Sequence, residues 1–481
     1  MSAVNPRFLE YLSSTFGWDA KEMAAYAAVA TKPLKKSIRI NTNKVSVADF
    51  KKLTEPRGWS FTASKLAPNV MYVDRTDTST PLGLTPEHLL GLFYVQEVSA
   101  SSSPWFLAGE KQSKEDALIL DMSASPGGKT TQLAELFPDS FIVANDPARA
   151  RLPQLFENLE RMQCLNVGVT NYDARFFGRF PETFDKILLD APCSGEGTAY
   201  KATGALEHWH IKNAKKIGRL QEQLAFAASQ ALKTGGTLAY STCTLNTLEN
   251  EGVAARILEK CPYLEQIPVS KAHKGGNGVS QDAEGYASVA SKLAQVGGDA
   301  AMVRRFWPHL QGTGGFFGAK FRKTAASGHA DSAQPQPSTL VPLSAKTRDE
   351  VLKTFGTMGM DLSGLYFYGR NGEVCAVSRD IGDLLAKFFF FRVGVPLGTL
   401  DEAGFSPTHA AGVLFPANKR VVELTPRQSS AYFAGQDFPD VKTRLSAGWV
   451  ALSCGGLRLG VAQWDGATIM NLFPRKQLRV D

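Results

Sequence analysis

Two cysteines occupy comparable places in the chain. Cys193 follows an apolar run in KILLDAPCSGEGT, and Cys243 follows another in TLAYSTCTLNTLENE. A thiolate is a strong nucleophile, and a second thiol beside it can act as its acid or base. A lone cysteine is more often a small buried hydrophobe. Two of them, each in a Gly/Ser/Thr-rich turn after a strand-like run, point to chemistry. Either thiol can be activated at a strand-to-helix turn, so the residues themselves do not rank Cys193 against Cys243. Cys164 and Cys261 lie near helix ends without polar companions and read as packing residues.

A second constellation surrounds LDMSASPGGKTTQLAEL. Ser123, Ala124, Ser125, Pro126, Gly127, Gly128 and Lys129 form a small-residue turn between a strand and a helix start. Such a turn lets a ligand approach the backbone and the free N–H groups of the helix terminus. Gly128-Lys129-Thr130 matches the end of a phosphate-binding loop, but Ser123 stands where that motif needs its leading glycine, and G-x-G-x-x-G is absent. Acids follow successive strand-like runs: Asp146 after the second, placed to accept from ribose hydroxyls, Asp173 after the third, placed to meet an adenine amine, and Asp190 at the end of the fourth. A single strand-end acid is easily a cap or turn residue. Three beside a glycine-rich turn suit an adenosine ligand without a long phosphate tail, S-adenosylmethionine better than ATP.

The elements that must position these groups alternate. ALILD, FIVAND, VGVTNYD, FDKILLD and GTLAYST are strand-like, and helix-length stretches run over Thr130–Phe137, Ala148–Gln163 and Lys212–Lys233. This spacing predicts a doubly wound α/β sheet, with ligands beyond the carboxyl ends of the strands, where the acids and Cys193 fall. The Gly/Ser/Ala-rich stretch Lys271–Asp299 is expected to be a loop-dominated insertion. RRFWPHLQGTGGFFGAKFRK reads as a hairpin closing the sheet with an antiparallel edge. The expected domains are 1–112, an α+β extension; 113–323, the catalytic core; 324–339, a linker; and 340–481, a β-rich region.

At 481 residues the chain is too long for one core, and its 43% hydrophobic and 21% charged residues describe an ordinary globular protein. A formal charge of +7 is compatible with a polyanionic partner. Seven Lys or Arg between Lys32 and Lys52, the run EHWHIKNAKK after Lys201, and the final PRKQLR are candidate phosphate contacts; a solvated face explains the first two about as well. The six cysteines lack CxxC and zinc spacing, so neither a metal nor a disulfide framework is expected. No leader-like start and no run of membrane-spanning length occur, and a cytoplasmic monomer is expected.

DMSASPGGKT, NDPARARLPQLFENLERMQCLNV, DAPCSGEGT, QALKTGGTLAYSTCTLNTLENE and GGFFGAKF, in this order, resemble the consecutive motifs of the RNA cytosine-C5 methyltransferases. The likeness runs from RINTNK to Lys323, and RVGVPLGT and NLFPRKQLR in the tail resemble a PUA-like RNA-binding domain. The resemblance implies a Rossmann-like class I methyltransferase sheet, S-adenosyl-L-methionine as cofactor, and 16S rRNA, within the small ribosomal subunit, as partner, with cytosine 1407 as target. It implies Cys243 as nucleophile on C6, Cys193 assisting breakdown of the adduct, and Asp190 at N3 as an acid kept protonated in a dry pocket. Lys129 would reach the cofactor or the base, and Pro192 would set the turn. Where the family usually carries Cys-Ala-Ala or Ala-Ala-Ala, this chain has Ser123-Ala124-Ser125, all small. The same chemistry on tRNA, a P-loop nucleoside triphosphatase and a non-catalytic assembly factor are the competing readings.

Overall fold

The computed structural model describes residues 4–64, 69–109, 112–202, 204–269, 284–330, 334, 336–439 and 441–473. Two compact units divide the chain. The first comprises Met1–Thr76, Val95–Leu152 and Asn171–Gln334, the second Asp77–Tyr94, Pro153–Thr170 and Pro335–Asp481.

In the first unit, helices α1 (Pro6–Phe16) and α2 (Ala20–Val29) lead into β1 (Ser37–Ile40), α3 (Val47–Thr54), β2 (Trp59–Ala63) and β3 (Val70–Arg75). Asn5 caps α1 by accepting from Arg7 N–H, with Pro6 in the first turn, where its missing N–H costs nothing. The large sheet follows: β4 (Leu118–Asp121), α4 (Gly128–Leu136), β5 (Phe141–Asn145), β6 (Phe184–Asp190), α5 (Ile211–Ala231), β7 (Leu232–Thr242), α6 (Glu251–Lys260), β8 (Leu264–Ile267), α7 (Glu284–Gln295), β9 (Arg304–Phe306) and β10 (Phe316–Lys323). Within this unit the strand order is β8-β10-β7-β6-β4-β5, with β9 also on β10. The β5–β4, β4–β6 and β6–β7 pairs are parallel, and β10 is antiparallel to β7. β5 is buried at all five positions, as a strand covered on both faces must be.

Three expectations change. The hairpin β9–β10 forms, but β10 lies inside the sheet because β8 pairs on its far side. The stretch Lys271–Asp299 contains helix α7; in EGYASVASKLAQ alanine outweighs glycine, and Tyr286 and Leu293, two turns apart, are both buried. Residues 271–283 lie outside the described ones. Finally, Arg39 of the basic run is fully buried: it donates to Thr131 Oγ1 at 2.8 Å and lies 3.6 Å from Glu135, while Thr42 and Asn69 also donate to Glu135. The motif RINTNK therefore anchors the N-terminal strands to α4, and Arg39 is not a phosphate contact.

In the second unit Val167–Thr170 pairs antiparallel with Arg392–Val393. One five-stranded sheet runs between Val341 and Pro407, and another contains Val421–Glu423, Gly448–Cys454, Leu457–Trp464, Thr468–Met470 and Phe438–Pro439. Of RVGVPLGT, the part from Val395 belongs to the earlier of these sheets, whereas Arg392 and Val393 make the pair with Val167–Thr170, and PRKQLR lies outside the described residues. In the expected linker, residues 324–330, 334 and 336–339 contain no helix or strand. Among the described residues no helix is long and apolar enough to cross a membrane, and no group of three His, Cys, Asp or Glu is placed to hold a metal.

A buried ion pair fastens β9 to the start of α6. Arg305 donates to Glu251 through two nitrogens and to Leu245 O at 2.8 Å, and both side chains are sealed from water. Removing one partner leaves the other charged and unpaired, a loss of roughly 3–5 kcal/mol. Arg305→Met should therefore lower the urea midpoint of the full chain markedly, whereas Arg304→Met, on the more accessible neighbour, should change it little.

Candidate active site

Because β6 and β7 run parallel with Asp190 opposite Ser241, the chain leaves the sheet at one level twice. Cys193 lies three residues beyond the end of β6, and Cys243 is the residue after β7. The two sulfurs are 3.0 Å apart. The hydrogen bond to Cys243, then burial, then the negative charges of Glu249 and Asp190 push the Cys193 thiol well above its ordinary range. The raised pKa favours the protonated form of Cys193, and in the contact between the sulfurs either atom can be the donor.

Lys129, in the first turn of α4, reaches the same place. Its ammonium lies 2.8 Å from Asp190 Oδ2 and 5.6 Å from the Phe316 ring centroid. Burial alone would lower its pKa, but the charges of Asp190, Cys243 and Asp121 outweigh that and raise it. The Ser241 hydroxyl donates to Asp190 Oδ1 at 2.7 Å. Asp190, expected as an acid in a dry pocket, has charged and polar company. It meets an ammonium and a hydroxyl.

The two cysteine turns are held together by glutamates. Glu196, buried, accepts from Thr244 Oγ1, Leu245 N (2.8 Å), Asn246 Nδ2 (2.9 Å) and Trp209 Nε1 (2.7 Å), and lies 2.9 Å from Ser194 Oγ, whose single proton goes to Glu249. Glu249, on the other turn, accepts from Ser194 N (3.0 Å), Ser194 Oγ (2.5 Å), Asn246 Nδ2 (2.7 Å) and Gln221 Nε2 (3.0 Å). Gln221 also donates to Pro192 O at 2.8 Å. Burial and the Glu196 charge raise the Glu249 carboxyl, and its bonds from Ser194 and Asn246 pull it back. A third segment joins through glycine. Gly197 donates to Cys243 O at 3.0 Å and accepts from Gly315 N at 2.9 Å. A Cβ at 197 would stand 2.2 Å from Gly315 O, so the backbones touch only because neither residue has one.

The small-residue turn follows β4. Gly127 takes φ +109°, and α4 begins without a side-chain cap. Ser123, Ala124 and Ser125 are tied in place: Ser123 N donates to Asp121, Ala124 N to Asn145 O, and Ser125 N to Asp146 Oδ2 at 3.1 Å. Asp146 is fully buried and also accepts from Ala148 N, with Arg151 3.3 Å away and itself half-exposed. Asp173 caps a 3-10 turn, Ala174–Arg179, and pairs with Arg175 in an open setting. The structure thus joins Lys129, Asp190, Cys193 and Cys243 at one locus and ties Asp146 to the adjoining turn, but gives Asp173 no contact to either group.

Glu196, Glu249, Ser241 and Asp121 were not singled out from the sequence. Asp121, at the end of β4, accepts from Thr130 Oγ1 at 2.7 Å, and burial pushes its carboxyl up to about 6. Both glutamates lie inside the cysteine motifs, three and six residues after their cysteines. That repetition was the available signal. Their burial was not legible, since glutamate is normally exposed.

Known proteins resemble this chain over most of its length. A family model described as 16S rRNA methyltransferase RsmB/F matches residues 110–322, one for the N-terminal domain of 16S rRNA methyltransferase RsmF matches 4–98, and one for the methyltransferase RsmF PUA domain matches 419–479. Proteins named ribosomal RNA small subunit methyltransferase F are similar over nearly the whole chain. That of Aeromonas salmonicida is 35% identical over 470 residues, covering 95% of this chain and 94% of its own. That of Citrobacter koseri is 34% identical over 484 residues, covering 98% and 95%. Among solved structures, a methyltransferase homolog protein from Pyrococcus horikoshii is 32% identical and matches with TM-score 0.55, covering 66% of this chain and all of its own.

Sulfurs 3.0 Å apart should also betray themselves chemically. Diamide, which takes up two hydrogens as a dithiol becomes a disulfide, should link Cys193 to Cys243 ahead of any pairing among the other four cysteines. Peptide mapping checks this. Free thiols at both positions, with crosslinks elsewhere, would contradict the geometry.

Proposed function

The chain belongs to the ribosomal RNA small subunit methyltransferase F family, and from that premise we propose that it transfers the methyl group of S-adenosylmethionine to C5 of a cytosine in 16S rRNA. The observation that carries the cytosine-C5 reading is the pair of sulfurs in contact beside a lysine–aspartate pair at two parallel strand ends. By the resemblance to this family the target is cytosine 1407.

C5 of cytosine is a poor nucleophile. A thiolate adding to C6 breaks the aromaticity and makes C5 an enamine carbon; afterwards the C5 proton must leave and the thiolate be eliminated. In our reading Cys243 attacks. Cys193, in contact with that sulfur, serves release: having given its own proton to water, its strongly basic thiolate takes the C5 proton while the C6–sulfur bond breaks and its electrons return to Cys243. Lys129 and Asp190 present a donor and an acceptor side by side, a match for the N3 and amino edge of the ring. The N3 donor is then the ammonium of Lys129, with Asp190 orienting it, in place of a protonated Asp190. Taking the base out of a stem costs a few kcal/mol, which contacts elsewhere on the RNA must offset.

The turn from Ser123 to Gly128 fits S-adenosylmethionine: its backbone is close-packed and fixed from below by Asp121 and Asp146, and the uncapped α4 terminus suits a carboxylate. When bound, the cofactor supplies an electrophilic methyl on a sulfonium. Asp146 and Asp173 are the acids we assign to the ribose and the adenine amine. Arg151 must yield part of its hold on Asp146, and its half-exposed head allows that.

Two experiments test the reading. Cys193→Ala should accumulate a covalent protein–RNA adduct, visible as a band that survives denaturing gels, because attack proceeds and release fails; Cys243→Ala should form none. The reverse pattern would exchange the two roles. Bisulfite sequencing of all RNA from a deletion strain should show one 5-methylcytosine lost, at position 1407 of 16S rRNA. A mark lost from tRNA instead would refute the substrate assignment.

A further inference from the structure

Arg7, Glu10 and Tyr11 of α1 and Trp209, His210 and Ile211 at the start of α5 line a cavity of about 240 Å³ in the first unit. The site chemistry described above does not use it. Its floor is aromatic: the Tyr11 and Trp209 rings lie tilted with centroids 5.3 Å apart. The polar end of each ring is fastened to a catalytic turn. Trp209 Nε1 donates to Glu196, on the Cys193 turn, at 2.7 Å. The Tyr11 oxygen accepts from Thr247 N at 3.0 Å and lies 2.8 Å from Thr247 Oγ1, beyond Cys243. Burial raises the Tyr11 hydroxyl, so this link stays neutral.

The basic charge lies beside the mouth, along α5. Arg7 is exposed at the rim, and His210 Nδ1 accepts from Lys212 N at 3.0 Å. From there Lys212, Lys215, Lys216 and Arg219 follow along α5, all exposed. Offsets of three, four and seven residues put them on one stripe of the helix. Glu10, exposed at the rim, offsets Arg7, so the net positive charge comes from the α5 stripe. Ile211, 37% exposed, forms an apolar lip.

An aromatic floor, an apolar lip and a row of cations are what a nucleotide needs from a binding notch: a face for the base and charge for its phosphates. We propose that this notch takes one unpaired nucleotide of the substrate RNA near the target cytosine, its base over Tyr11 and Trp209 and its backbone along Lys212 to Arg219. The proposal rests on the reading of the substrate as ribosomal RNA. It makes the N-terminal helix a reader of RNA whose contacts end directly on both cysteine turns.

The test places p-benzoylphenylalanine at Ile211 of the full chain and irradiates it with small ribosomal subunits from a deletion strain. The expected product is a crosslink to 16S rRNA within a few nucleotides of the methylated cytosine. A crosslink to a ribosomal protein, or none from a variant that still methylates the subunit, overturns the notch while leaving the activity assignment intact. Failure of the unaltered chain to methylate 16S rRNA refutes that assignment, and the notch with it. A charge pair adds a second measurement. Ile211→Glu should raise KM for the subunit by on the order of fivefold or more, the loss of about one stacked base, with KM for S-adenosylmethionine unchanged; Ile211→Lys should lower KM for the subunit. Equal impairment by both would mean a structural role and overturn the proposal.

Discussion

Two carboxylates buried between two turns are the constraint on which this site depends. An ionised carboxylate away from water is tolerable only when its lone pairs are filled. Glu196 and Glu249 fill theirs with donors drawn from both turns, so neither turn can shift alone without leaving a charge unsatisfied. Partly satisfied networks of this kind are costly, which makes the arrangement close to all-or-none. The contact between the sulfurs follows from it.

The sheet supplies the other half of the geometry. Parallel β6 and β7 end level, and β10 beside β7 brings Gly315 against Gly197. Behind the turns, α1 and α2 pack a cluster of aromatic side chains that includes Phe8, Phe16, Trp18, Trp209 and Trp307. The N-terminal helices thus back the catalytic turns as well as extending the chain. Arg305, buried in the same region, binds both Glu251 and Leu245 O, so the segment after Cys243 is tied from β9 too.

Electrostatics divide the labour within the locus. A cation, a carboxylate and two thiols share a space partly closed to water, where charges act more strongly than at the surface. Cys193 faces negative neighbours, which favour its protonated form, while Lys129 sits within electrostatic reach of Cys243. The basic residues in the overall excess divide similarly. Arg39 and Arg305 are internal fasteners, whereas the stripe from Lys212 to Arg219 faces solvent.

Much of this was legible before folding. Alternating apolar runs and helix-length stretches determined the parallel sheet, because strand and helix periods are local properties of the chain. The small-residue turn, its adjoining acids and the paired cysteine motifs were legible because turn chemistry also depends on a few neighbouring residues. Several features were not. The helix in the alanine-rich insertion was hidden by its glycine-rich first half, and the inward place of β10 depended on where β8 would pair. The protonation of Cys193, the pairing of Asp190 with Lys129 and the burial of Arg39, Glu196 and Glu249 were decided by tertiary structure. Each depends on groups tens of residues away in sequence, and a charge or thiol takes its state from what surrounds it in space.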